Sequence, residues 1–157
     1  MMRADAIEKW NEVLAGAFPD FQGRICAFGY DWMGTCFALD KNRTEGGESL
    51  VVLFEVDTAE ALEVPADFAS FHNETLIEQR EAALTPSFFD AWISAGGAAP
   101  RPDQCVGYKV PLFLGGQDTV ENLELTDLAV YWEISSQLIA ETRNLPPGTP
   151  VKGVSVD

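Results

Sequence analysis

Between residues 24 and 64 the chain runs through four short apolar segments with only turns and one charged loop between them, and this spacing restricts the possible folds more than any other feature. The segments are RICAFGY (24–30), TCFAL (35–39), LVVLFEV (50–56) and ALEV (61–64), rich in apolar, aromatic and β-branched residues. Parallel neighbours would need a crossover of about a dozen residues or more, usually a helix, and no helical period separates these runs. They are therefore expected to pair as an antiparallel meander. Residues 31–34 supply the first turn, DTAE (57–60) the last, and Pro65 is expected to close the fourth strand. The intervening KNRTEGGES, charged and carrying a Gly-Gly pair, is expected to be a mobile exposed loop.

Helical periodicity brackets the meander. Ile7, Trp10, Val13, Leu14 and Phe18 recur at three- and four-residue steps, predicting an amphipathic helix over 4–17 that Pro19 helps to stop. From residue 67 to 95 the apolar period changes from two to about three and a half. Two helices are expected there, broken near Thr85, with Thr85 as N-cap, Pro86 at the first helical position and Gly96-Gly97 at the stop. AAPRPDQ then reads as a rigid loop. Residues 106–113 are expected to form a strand that Pro111 places at an edge or bulge, 114–116 a turn, and 120–125 a further strand with Leu123 and Leu125 on one side. Thr126 or Asp127 is placed to cap a last helix whose inward stripe is Leu128, Tyr131, Ile134 and Leu138. Strands followed by helices predict an α+β fold in one domain spanning 1–157, with 145–157, which contains Pro146-Pro147 and Gly148, as an extended tail.

Charge and cysteine usage narrow the function classes. Twenty-five acidic against ten basic side chains leave a formal net charge of −15, which repels phosphate backbones and anionic lipid surfaces and favours a basic protein partner. No direct nucleic-acid binding and no membrane binding are expected. The start MMRADAIEKW lacks the basic and apolar regions of a signal peptide, and no apolar run approaches the ~20 residues of a membrane span, so a cytoplasmic location is expected. Cys26, Cys36 and Cys105 show neither CxxC nor Cys/His spacing and are expected as reduced thiols rather than disulfides or zinc ligands.

No residue pattern marks a catalytic centre, a metal site or a cofactor site. His72 is the sole histidine, which excludes chemistry needing two imidazoles, and a structural or surface role is expected for it. Asp31, Asp40, Glu45 and Glu55 could supply a paired acid and base or oxygen ligands, but an acidic chain holds many such subsets. The run from Asp118 to Asp127 lacks the ligand rhythm and central glycine of a calcium loop, and Gly115-Gly116 lacks the Lys-Ser or Lys-Thr of a phosphate cradle. Exposed aromatics beside carboxylates suit recognition of a cationic protein surface instead. On expected exposure and charge, the partner-binding candidates are Asp31, Trp32, Asp118, Glu121 and Trp132, the last because Tyr131 already fills the inward stripe.

The run GYKVPLFLGGQDTVENLELTDLAVYWEISSQLI, with FGYDWMGTCFALD upstream, resembles the SUKH superfamily (cell-wall-synthesis-regulator-like domains) and the related type VI secretion immunity family in its Gly-Tyr, Pro, Leu-Gly-Gly, Glu-Asn and helix pattern. The resemblance implies a twisted antiparallel sheet flanked by helices. It further implies a cytoplasmic immunity protein that neutralises a cognate secreted toxin, often a nuclease. Gly107, Tyr108, Pro111, Gly115, Gly116 and Asn122 are carried over as structural marks of that pattern. A general interaction scaffold and a small carboxylate-dependent hydrolase are the alternatives.

Overall fold

The structure, a computed structural model, describes residues 2–143; the expected tail at 145–157 lies outside them. The N-terminal helix α1 occupies Ala4–Ala17, as its period requires. A four-stranded meander follows: β1 (Ile25–Tyr30), β2 (Cys36–Glu45), β3 (Glu48–Glu55) and β4 (Glu60–Asp67), each antiparallel to the next. Short helical pieces come next: α2 (Phe68–Ser70), a π-helical turn (Phe71–Thr75), α3 (Leu76–Glu78), α4 (Arg80–Leu84) and α5 (Pro86–Ser94). A separate antiparallel pair, β5 (Gln104–Tyr108) with β6 (Leu123–Asp127), leads into the long helix α6 (Leu128–Arg143). The α+β architecture inferred from the sequence is the observed one.

Period-two alternation divides the meander into two buried faces. Ile25, Ala27, Cys36, Ala38, Val52, Phe54 and Val56 face α1 and α6, joining Leu14, Tyr131, Trp132 and Ile139 in the main core. Phe28, Phe37, Val51 and Leu53 point to the opposite face and are covered by Ala66 and Phe71. His72 packs beside that second layer, its Nδ1 2.8 Å from the Phe68 carbonyl and its ring 4.3 Å from that of Phe68.

Several boundaries depart from the sequence reading for identifiable reasons. The expected loop 41–49 is largely a hairpin: β2 runs to Glu45 and β3 starts at Glu48, because Gly46 and Gly47, at φ 60° and 85°, supply the two positive-φ positions of a tight primed turn. Pro65 does not end β4, which continues to Asp67; β4 is the outer strand of the meander, where a missing N–H is tolerated. The Thr85 side chain accepts no capping hydrogen bond. The residue adopts a left-handed conformation at φ 44°, and its hydroxyl faces Met33 Sδ at 3.9 Å. The expected strands 106–113 and 120–125 shift to β5 and β6, since Leu112–Leu114 and Val120–Asn122 turn as 3-10 helices. Asp127 does cap α6, its Oδ1 accepting from Val130 N at 2.9 Å.

The motif residues between β5 and β6 have specific structural tasks. Asn122 donates its amide to the carbonyls of Val110 and Gln117, and its Oδ1 accepts from Val110 N, closing the connection. A Cβ on Gly116 would lie 1.9 Å from the Val110 carbonyl oxygen, and one on Gly107 would lie 2.6 Å from the Tyr131 ring, so both sites exclude larger residues.

Candidate functional site

The second face of the meander ends in a cavity of about 210 Å3 where four carboxylates meet. Asp31 comes from the β1–β2 turn, Glu55 from the end of β3, Asp57 from the β3–β4 turn and Asp118 from the β5–β6 connection. Glu55 and Asp57 are two residues apart at a strand end, which puts both on the face carrying Leu53. The β5–β6 connection is held against them by the Phe113 N–H, which donates to the Asp57 carbonyl at 3.1 Å. Thr85 and Phe88 close the side opposite the sheet.

Each acid has a distinct environment. Asp31 folds over its own turn, with Oδ1 accepting from the N–H groups of Met33 and Thr35, both at 2.9 Å. Burial pushes its carboxyl up to about 7 despite those two hydrogen bonds, with Asp57 and Glu55 adding repulsion. Asp57 is raised to about 6, again by burial first and then by Glu55. Glu55 accepts from the Thr58 hydroxyl at 2.9 Å. Asp118 accepts from the Tyr108 hydroxyl at 2.5 Å; burial first and that bond second drive the tyrosine's ionisation well above its ordinary range. The cavity therefore gathers four carboxyl groups, and none of them is ion-paired with a Lys or Arg among the described residues. Among the described residues no group of His, Cys, Asp and Glu is arranged to hold a metal ion.

The sequence-named candidates separate in space. Asp31 and Asp118 share the cavity, and Glu121 is exposed on the connection beyond Asp118. Trp32 is half-buried and turned inward: its Nε1 donates to the Leu84 carbonyl at 2.8 Å, and its ring meets Phe89 edge-on at 5.1 Å. Trp132 is a correction. It is 0% exposed, donates Nε1–H to the Gly34 carbonyl at 2.7 Å and stacks edge-on with Trp10. The helix packs against α1 and shares the main core with the meander, so its buried arc extends beyond the expected stripe to include Trp132, Ser135 and Ile139.

Of the carboxylates considered for acid–base work, Asp31 and Glu55 do converge, whereas Asp40 and Glu45 do not. Burial would raise Asp40, but a two-point contact from Arg24 outweighs it and holds the carboxyl below its usual range. Glu45 is exposed at the β2–β3 hairpin. Asp57, which the sequence marks only as a turn residue, joins Asp31 and Glu55 in the cavity. The i, i+2 spacing of Glu55 and Asp57 was the available signal.

A sheet of this order with a carboxylate-lined cavity, flanked by helices and containing no paired imidazoles, defines a small α+β domain with a strongly anionic recess. Residues 66–139 match the family described as T6SS immunity protein Tdi1, C-terminal, so the likeness to a type VI secretion immunity family read from the β5–α6 motifs holds over that segment. A similar solved structure is the crystal structure of Atu4351 from Agrobacterium tumefaciens, at 16% identity and a TM-score of 0.58, covering 83% of this chain and 64% of that one. This chain thus spans less than two-thirds of that protein's length, and at such identity the likeness is one of fold. No curated protein matches. Among the described residues, no helix is long and apolar enough to cross a membrane.

Proposed function

We propose that this protein is an immunity protein that binds a cognate secreted toxin and neutralises it by occlusion, with the acidic cavity receiving a lysine or arginine side chain from a basic toxin surface. The observation that carries the reading is the match of residues 66–139 to an immunity family. The recess adds chemical detail, because Asp31, Glu55, Asp57 and Asp118 offer a cation carboxylate oxygens that no Lys or Arg of this chain occupies among the described residues. A guanidinium or ammonium entering there would favour the charged forms of Asp31 and Asp57, which burial first and their acidic neighbours second hold in a raised state. A nuclease, whose substrate groove must be basic, is a fitting target for such a surface. On this reading the protein acts in the cytoplasm and performs no chemistry of its own.

The test is rescue of growth in cells expressing the toxin gene adjacent to this one, followed by association kinetics with the purified toxin. Wild-type protein restores growth. Replacing both Asp118 and Glu121 by Lys slows association by about tenfold at low salt and flattens its salt dependence. Failure of the wild type to rescue rejects the immunity reading, and rescue with unchanged kinetics in the double variant rejects this surface. The convergence of Asp31 with Glu55 favours carboxylate-dependent hydrolysis as a second reading. A hydrolase would lose turnover in Asp31→Asn while retaining its substrate complex.

A further inference from the structure

We propose, resting on the immunity reading, that the outer edge of β6 is a second docking element, which takes an extended segment of the partner as an added antiparallel strand. Among the described residues β6 pairs on one side only, with β5. The direction of its free groups follows from the hydrogen bonds that flank the ladder. Leu128 N donates to the Asp103 carbonyl and Lys109 N to the Asn122 carbonyl, while Val106 turns its N–H away from β6 to the Trp32 carbonyl. Inward and outward pairs alternate along an antiparallel ladder, so Thr126 and Glu124 bond to β5 whereas Leu123, Leu125 and Asp127 direct their backbone groups outward. Leu123 N–H is taken by the Val120 carbonyl. The Leu123 C=O, both Leu125 groups and the Asp127 N–H remain to receive a strand, which would form on the order of four backbone hydrogen bonds.

The meander does not offer an equivalent edge. On β1, Ala27 N donates to Asn11 Oδ1 and the Phe28 carbonyl accepts from Met2 N, so α1 and its leading residues cover that side. On β4, Pro65 removes a donor from the outer strand and a register shift interrupts its pairing with β3.

The side chains specify the occupant. Leu125 is 37% exposed, an apolar position at the centre of the open edge, while Glu124 and Asp127 are exposed at either side of it. Residues directly opposite one another in an antiparallel pair share a face and touch. The added strand therefore carries an apolar residue opposite Leu125 and cations opposite Glu124 and Asp127. Charge excludes a second copy of this acidic chain as the favoured occupant, since like carboxylates would be brought together along the edge.

The probe is the peptide acetyl-Lys-Thr-Val-Lys-Val-amide, with its Lys→Glu counterpart as control, added to the full chain and followed by amide hydrogen exchange. Slowed exchange at Leu125 and Asp127 with the basic peptide, and none with the acidic one, is the expected result. Leu125→Pro removes an N–H that the ladder directs outward and that serves no bond among the described residues, so its far-UV circular dichroism should match the wild type while peptide binding weakens by at least about fivefold. Unchanged peptide binding in a folded Leu125→Pro variant, protection elsewhere, or no protection with the basic peptide overturns the proposal. Toxin rescue separates the two ideas: a wild type that rescues while Leu125→Pro rescues equally and binds toxin with the same affinity removes the edge alone, whereas a wild type that does not rescue removes the immunity reading.

Discussion

Replacing Asp31 by Asn should make the protein more stable and a poorer binder at once. In the native state the Asp31 carboxyl is raised to about 7 by burial and by its acidic neighbours. A raised carboxyl keeps its proton in the folded state while the unfolded chain has already released it. The sign follows: below about pH 4 both states are protonated and nothing is lost, stability falls as pH rises from about 4 to about 7, and the full cost persists above that. A shift of roughly three pK units corresponds to about 4 kcal/mol if felt in full. Asp31 is only half-buried at the cavity wall, so water screens part of it and an effect of about 1–2 kcal/mol is the expected scale. Asn keeps the oxygen that accepts from Met33 and Thr35, so the turn need not be disturbed. Urea unfolding at pH 5 and pH 8 is the assay: Asp31→Asn should gain stability mainly at pH 8 and flatten the slope between them. Affinity for a basic toxin at pH 8 should fall by about tenfold, a stability–function trade at one side chain. A variant that is less stable at pH 8, with an unchanged pH slope, would refute the account of Asp31 as a strained acid.

Two further substitutions test the frame rather than the recess. Trp132→Phe leaves the Gly34 carbonyl without its indole donor and opens a small void, so unfolding should show a loss of about 2–3 kcal/mol, while toxin affinity of the folded protein stays unchanged because the ring is not at the surface. The two glycines of the Leu-Gly-Gly turn should differ: Gly115→Ala meets only its positive φ of 91° and should cost about 1 kcal/mol, whereas Gly116→Ala drives a Cβ into the Val110 carbonyl and should cost at least about 3 kcal/mol by the same measurement.

The contrast between the legible and illegible parts of the chain has a physical origin. α1 was readable to the residue because its apolar spacing satisfies one helical face and Pro19 stands at its end. The meander was readable because short apolar runs without crossovers have few ways to pair. Where a residue's local preference competed with its tertiary position, the local rule failed. Pro65 ends a strand in isolation but is harmless on an outer strand, and Gly46-Gly47 suggests mobility until the flanking residues are seen to pair across it. Trp132 was misplaced because a four-residue stripe underestimates the arc buried by a helix that touches both a sheet and another helix.

The acidic recess was half legible for a different reason. Asp31 and Asp118 each stand out in the sequence for charge and expected exposure, and nothing in their spacing of 87 positions says that they meet. What joins them is the Phe113-to-Asp57 backbone bond, which docks the β5–β6 connection onto the β3–β4 turn, and Asn122 and Gly116, which shape that connection. Asn122 and Gly116, which belong to the motif that resembles the immunity family, are thus among the residues that carry Asp118 to the cavity, whereas the carboxylates do not shape the connection's backbone. If recognition of a toxin lies in this recess, changes in cognate specificity should follow the acids and leave the turn-forming glycines and asparagine in place, because altering the latter would displace the whole constellation rather than retune it.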